Sequence, residues 1–419
     1  MTHAKRALIV WSIPAIGLAV YYLRLRRHVL HVRDPRGEVY VAVALAAVTL
    51  GGLVAALLIR IVTALAHRSA AAAAASLRIS LLAGTLLALM VVLSQVTAFT
   101  PEIRGPDPIA KLRPIIVNGR SEWLSIRGQD RSKPVLLFLS GGPGGSHLVT
   151  ARHCFADLER DYVVVTWEQP GAAKSYNAIS PEDITLSTYL SDGAAVTDLL
   201  RNEFDQDRIY LMGESWGSAL GLMLAREHPE HYRAFVGTGQ MIDFLETERI
   251  DYRMALDDAR ATGNQRLVDT LEEQGPPPYE SGIALKTNAY LSPLYGMSAR
   301  TGQIHGAVFS TMDGPYGVEY GLLDKVYFFW GLYRTFDSFY GDLYPVDLRR
   351  SAAEQQIPIH ILQGRYDYNA PAGLVEDYCA QPSAPCRSLI YFEHSGHNPW
   401  QTENKLFIAH VRRAFAESA

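Results

Sequence analysis

Hydrophobic positions fall into two regimes that change near residue 100. Before it stand three long apolar runs, Ala7–Leu23, Val39–Val62 and Ile79–Phe99, of 17, 24 and 21 residues. A helix of ~17–25 mostly apolar residues crosses a bilayer core, so the runs predict about three transmembrane helices in a membrane region over 1–100. Arg60, near the end of the second run, has a stem long enough to carry its charge to an interface. A secretory leader explains the first run but neither of the others.

A Pro/Gly-rich linker follows over 101–113, and the pattern then shortens. "RPIIVNGRSEWLSIRG" reads as two strands joined at Asn118-Gly119, a strong tight-hairpin signal. "KPVLLFLSGG" is continuously apolar, as a strand buried on both faces of a parallel sheet would be. Strand-like runs ("DYVVVTWEQ", "RIYLMGES", "YRAFVGTG") then alternate with stretches of helical spacing, such as Ser187–Phe204 and "WGSALGLMLAREHP". The alternation resumes at Ile357–Gly364 and closes with "RSLIYFEHSG" and a helix from Glu403 to Ala416. The class is α/β, a mostly parallel sheet with helices on both faces. The core is expected over 114–239 and 357–419. The interruption, 240–356, is rich in Tyr and Phe and lacks period-two strands, so it is expected to form a helical cap over the carboxyl edge of the sheet.

Charge and composition narrow the function by exclusion. A net charge of −4, with no basic patch interleaved with aromatics, argues against nucleic acid as a partner. No His/Cys cluster has the spacing of a metal site, so neither a metal nor a cofactor is expected.

The chemistry is carried by short motifs at strand ends. "GESWGS" holds Ser215 between Gly213 and Gly217, where a strand gives way to a helix. That is the G-x-S-x-G pattern of a nucleophile elbow, a turn so tight that only glycine fits beside the serine. A serine hydroxyl needs a base to take its proton and a third group to orient that base. "QGRYDYNAP" places Asp367 just past a strand, and "EHSGHNPW" places His397 in the loop beyond the last strand. The order Ser, Asp, His is the one such a sheet requires. His394 lies nearer the strand, which suits packing or hydrogen bonding there. "SGGPGGS" (Ser140–Ser146) follows another strand, and its glycines let backbone N–H groups approach a developing oxyanion. The expected oxyanion hole is formed by the N–H groups of Gly142 and Trp216.

"GGPGG", "WEQPGAAKS", "GESWGS", "GRYD" and "SGHNP" occur in an order that resembles the α/β-hydrolases similar to proline iminopeptidases. The resemblance covers about Pro114 to Ala416. It implies a Ser/Asp/His hydrolase with a helical cap, cleaving N-terminal residues from short peptides, with Ser215 as nucleophile, Asp367 as acid and His397 as base. Three positions depart from the family's pattern. Ser140 stands where a histidine is usual, Glu168-Gln169-Pro170-Gly171 replaces "DQRG", and Glu214 precedes the nucleophile where glycine is frequent.

The expected function is therefore a membrane-anchored serine hydrolase acting on a small aminoacyl amide or peptide N-terminus. A carboxylic or lipid ester hydrolase is the alternative, and a non-catalytic ligand sensor on the same fold the more distant one. Substrate-contacting carboxylates are sought at Glu214 and, at the start of the cap, Glu246 and Glu248, because a protonated amine is matched by a carboxylate. Aromatics in "DKVYFFWGLYRTF" are candidates for an apolar pocket wall. The expected partners are a small-molecule or short-peptide substrate and, through the N-terminal helices, the lipid bilayer. The Lys/Arg balance around the three runs favours an inside catalytic domain. Cys379 and Cys386 bracket a Pro-containing loop, and a disulfide there requires an oxidising compartment. On that ground the catalytic domain is expected outside the cytoplasm.

Overall fold

The computed structural model describes residues 70–304, 306–307, 309–381 and 386–418. These divide into two compact units.

Within the described residues, the smaller unit combines the chain up to Pro101 with Pro315–Lys325. Its helix, α1 (Ala70–Val96), begins in the alanine tract, carries Arg78, and contains most of the third apolar run. Its last turns are engaged by protein. Ser94 Oγ accepts from the Leu322 N–H at 2.9 Å, and Gln95 donates to Asp324 at 3.2 Å. Just beyond, the Phe99 N–H donates to the Val318 carbonyl. Among the described residues no helix is long and apolar enough to cross a membrane. This corrects the expectation of a membrane-spanning third run. The expected multi-pass anchor and bilayer partner lose this span, and the placement of the catalytic domain outside the cytoplasm loses the membrane against which it was defined. The physical reason lies at the end of the run, where polar groups meet protein partners. The runs Ala7–Leu23 and Val39–Val62 lie outside the described residues.

The larger unit is built on one eight-stranded sheet. In chain order the strands are β1 (Ile109–Val117), β2 (Arg120–Gly128), β3 (Val135–Leu139), β4 (Val163–Glu168), β5 (Ile209–Glu214), β6 (Tyr232–Thr238), β7 (Ile359–Gly364) and β8 (Cys386–Phe392). Across the sheet they run β1-β2-β4-β3-β5-β6-β7-β8, antiparallel from β1 to β4 and parallel thereafter. The β1–β2 hairpin turns at Asn118 and Gly119, with φ of 47° and 80°. Two consecutive left-handed residues make the turn whose twist matches that of the flanking strands.

The continuously apolar strands are buried on both faces, as their sequences require. In β3, Val135, Leu137 and Leu139 join one core, while Leu136 and Phe138 join the other. The first core is shared with α3 (Leu186–Glu203) and α4 (Trp216–Glu227). The second is shared with α2 (Leu148–Cys154) and α12 (Asn404–Ala416).

Between β6 and β7 the chain is helical: α5 (Phe244–Ala261), α6 (Gln265–Gln274), α7 (Ile283–Arg300), α8 (Leu322–Phe339) and α9 (Leu348–Ser351). Helix α5 begins where Asp243 accepts the Glu246 N–H, and its buried positions include Phe244, Glu248, Asp251, Tyr252, Ala255 and Ala259. Their spacing of three to four residues marks one helix stripe, and two carboxylates sit on it. After β7, α10 (Ala372–Cys379) leads toward β8, and α11 (Pro399–Thr402) precedes α12. Cys379 is disulfide-bonded, and Cys154 is free and buried.

Candidate active site

The carboxyl ends of β3, β5, β7 and β8 deliver the motif residues to one sheet edge. Ser215 joins β5 to α4 with φ 54° and ψ −123°, a backbone conformation that side chains other than glycine rarely adopt. Its neighbours explain why the strain persists. A Cβ on Gly213 would run into the Gly217 carbonyl, and one on Gly217 into the Leu139 carbonyl. The Ser215 N–H is held by the Thr238 carbonyl at 3.0 Å. The hydroxyl is thereby carried to the wall of a cavity of about 770 Å³.

His397 lines the same cavity. Its Nδ1 lies 3.0 Å from both oxygens of Asp367. Asp367 is buried and fully engaged, accepting also from Gln363 at 2.9 Å and from the N–H groups of Asn369 and Ala370 at 3.0 and 2.9 Å. These contacts fix the position of its side chain. Burial opposes charge on His397, but Asp367 and then Glu214 outweigh it and raise the imidazole to about 9 from an ordinary 6.5. Among the described residues no hydrogen bond joins Ser215 Oγ to His397. The outer nitrogen, Nε2, instead faces Asn369 Nδ2 at 3.3 Å and Glu214 Oε1 at 3.6 Å. In unliganded sites the serine–histidine contact is often long.

Gly142 and Trp216 both border the cavity, and among the described residues neither N–H meets a protein acceptor. The Trp216 N–H belongs to the first turn of α4, where helix donors are free. Gln169, from the "EQPG" stretch, ties the two loops together. It donates to the Ser140 carbonyl and accepts from the Trp216 indole, each at 2.9 Å. No sequence signal gave Gln169 this role, because it depends on which way a loop amide turns.

The three carboxylates sought for substrate contact separate. Glu214 is buried, lines the cavity, and accepts the Gly141 N–H at 2.9 Å. Glu248 is buried behind the wall. Tyr340 donates to it at 2.6 Å and Thr287 at 3.4 Å, and Tyr290 also donates; of these, Thr287 and Tyr340 border the cavity. Glu246 is away from the cavity, on the outer face of α5, paired with the exposed Arg253 at 3.3 Å. Asp251, on the same stripe as Glu248, is fully buried, and among the described residues neither of its oxygens is hydrogen-bonded. The helical stripe in the sequence carried the signal that separates Glu248 and Asp251 from Glu246.

His394 stays outside the cavity lining, its Nδ1 at 3.1 Å from the Gln303 carbonyl oxygen. His147, which follows the glycine tract, does line the cavity, with Nδ1 3.6 Å from Glu214 Oε2. Burial keeps this imidazole below its usual range. The rest of the wall is largely apolar and includes Met241, Phe244, Phe328, Phe329, Leu332 and Phe336. Far from this edge, His228, Glu230 and His231 bring potential metal-ligand atoms within 4.8 Å of one another, a grouping overlooked in the sequence.

A serine at a strained strand–helix turn, with a carboxylate-held histidine over the same cavity, is the constellation of an α/β-hydrolase. The model of that fold family matches residues 134–400, and the chain belongs to the α/β-hydrolase fold family. Its relatives are proline iminopeptidase-like. It is 28% identical over 308 residues to the "Probable aminopeptidase YbaC" of Bacillus subtilis, covering 73% of this chain and 96% of that protein. It is 31% identical over 133 residues to a "Probable proline iminopeptidase" of Leptolyngbya boryana, covering 32% of this chain and 37% of that one. A crystal structure of proline iminopeptidase from Mycobacterium smegmatis has the same fold, with a TM-score of 0.52 at 17% identity, over 74% of this chain and 98% of that one.

Proposed function

We propose that this hydrolase cleaves a small aminoacyl amide or a peptide N-terminus through an acyl-enzyme on Ser215. The observation that carries the reading is the shared cavity. Ser215, held at φ 54°, and His397, bound by Asp367 at 3.0 Å, face it together.

In this mechanism His397 Nε2 takes the Ser215 proton as Oγ attacks the substrate carbonyl carbon. Asp367 holds Nδ1–H, fixing the ring and stabilising the imidazolium that forms. The oxyanion is received by the N–H groups of Gly142 and Trp216, with Gln169 bracing both loops. His397 then gives its proton to the leaving amine. Water, deprotonated by the same imidazole, releases the acyl group and restores the serine.

Two observations support a free-amine substrate. Glu214 puts a buried carboxylate in the cavity wall beside the nucleophile, and the relative matched along 96% of its own length is called a probable aminopeptidase. The ester-hydrolase alternative draws on the aromatic wall from Phe328 to Phe336, which fits an apolar acyl group. Aminoacyl arylamides, their N-acetylated counterparts and acyl esters, with Ser215→Ala as blank, separate the two. The amine-dependent reading expects acetylation to abolish turnover. Equal turnover of blocked and free substrates would leave the ester or general acyl hydrolase.

A further inference from the structure

We propose that Glu214 is a second carboxylate partner of His397, which holds the ring as an imidazolium in the empty site and releases it when a substrate ammonium arrives. The inference rests on the reading above, in which Ser215 is nucleophile and His397 its base.

The geometry is a bracket. Asp367 occupies Nδ1 at 3.0 Å, while Glu214 Oε1 approaches Nε2, the nitrogen that must accept the serine proton, at 3.6 Å. Glu214 is only 2% exposed, and its other oxygen is anchored by the Gly141 N–H at 2.9 Å. A carboxylate so deprived of water needs a positive partner. Among the described residues neither Glu214 nor Asp367 pairs with a Lys or Arg, and histidines are their ionic partners. His147, from the loop after β3, is 3.6 Å from Glu214, but burial disfavours its charged form. From α7, the half-exposed Tyr295 sets its ring edge-on to the imidazole with centroids 6.5 Å apart, and a phenol supplies no positive charge. The positive charge therefore settles on His397. Asn369 Nδ2, at 3.3 Å from Nε2, is the donor that serves the ring in its neutral state.

An imidazolium raised to about 9 is a poor base at neutral pH. An α-ammonium beside the scissile carbonyl brings a new cation to Glu214. It compensates the carboxylate and repels the imidazolium, whose Nε2 proton leaves to solvent. Neutral Nε2 then accepts the Ser215 proton. The amine thus both binds and activates, and a blocked amine does neither.

The test is the pH dependence of inactivation by an uncharged fluorophosphonate, for the wild type and Glu214→Gln. The wild-type rate should rise toward a plateau with a midpoint near 9. The E214Q midpoint should fall by at least about one pH unit, which raises its share of the plateau rate at neutral pH about tenfold. Coincident midpoints overturn the inference while leaving the nucleophile assignment intact. Failure of both proteins to react removes that assignment, and the inference with it. A second measurement needs no Glu214 variant. Histidine NMR titration of Ser215→Ala should show a lower His397 midpoint with leucinamide than with N-acetyl-leucinamide, and identical midpoints overturn the ammonium step.

Discussion

Gly213, Ser215 and Gly217 show how a spacing becomes a constraint. The serine is strained, and each glycine faces a carbonyl that a methyl group would strike. Gly217→Ala should therefore lower stability by about 1–3 kcal/mol or more, as overpacking does. Denaturant melts would read it, and an unchanged midpoint would mean that the elbow has room. The placement of Ser215, Asp367 and His397 at one sheet edge was legible because each follows an apolar strand run. Gln169, His147 and Asn369 were not. Their places depend on which loop side chains fold inward, and no local pattern records that. Glu246 and Glu248 looked equivalent in sequence, yet two residues on a helix point some 200° apart. The buried stripe through Phe244 and Tyr252 decides between them.

Among elements, α5 carries the sharpest conflict, the carboxyl of Asp251, which is unpaired among the described residues. Burial first, then the charges of Glu248 and Asp367, push it well above its ordinary 3.8. The folded chain thus keeps a proton that the unfolded chain gives up, so stability from this group is lost as pH rises above about 4. Asparagine resembles the protonated acid and cannot titrate. Asp251→Asn should then stabilise the protein at about pH 8 by roughly 1–3 kcal/mol, with a smaller gain at about pH 5. Thermal melts at the two pH values check it, and equal destabilisation at both would show that the carboxylate has a structural partner. The sheet strands were readable from their continuous apolar runs, since burial on both faces leaves no alternation. The third N-terminal run misled for a related reason. Hydropathy counts apolar side chains without recording what meets the polar ones, and here Ser94 and Gln95 meet protein groups.

For the whole molecule, the charge on His397 sets the working pH. With the base raised to about 9, modification of Ser215 by an uncharged sulfonyl fluoride, in the absence of any amine, should climb from neutral pH toward that value, since only the neutral ring accepts a proton. A rate flat across that range would show that the ring is already neutral. The apolar wall makes its own prediction. Phe336→Ala, which opens the cavity beside Tyr340, should change KM for bulky apolar aminoacyl groups more than for small ones. The opposite order would place those groups elsewhere. Beneath all of these lies the claim that Ser215 forms the covalent intermediate. Peptide mass mapping after fluorophosphonate treatment tests it most directly. The adduct is expected on Ser215 in the wild type and absent from Ser215→Ala, whereas an adduct of equal yield on the variant, at any other residue, would contradict the account.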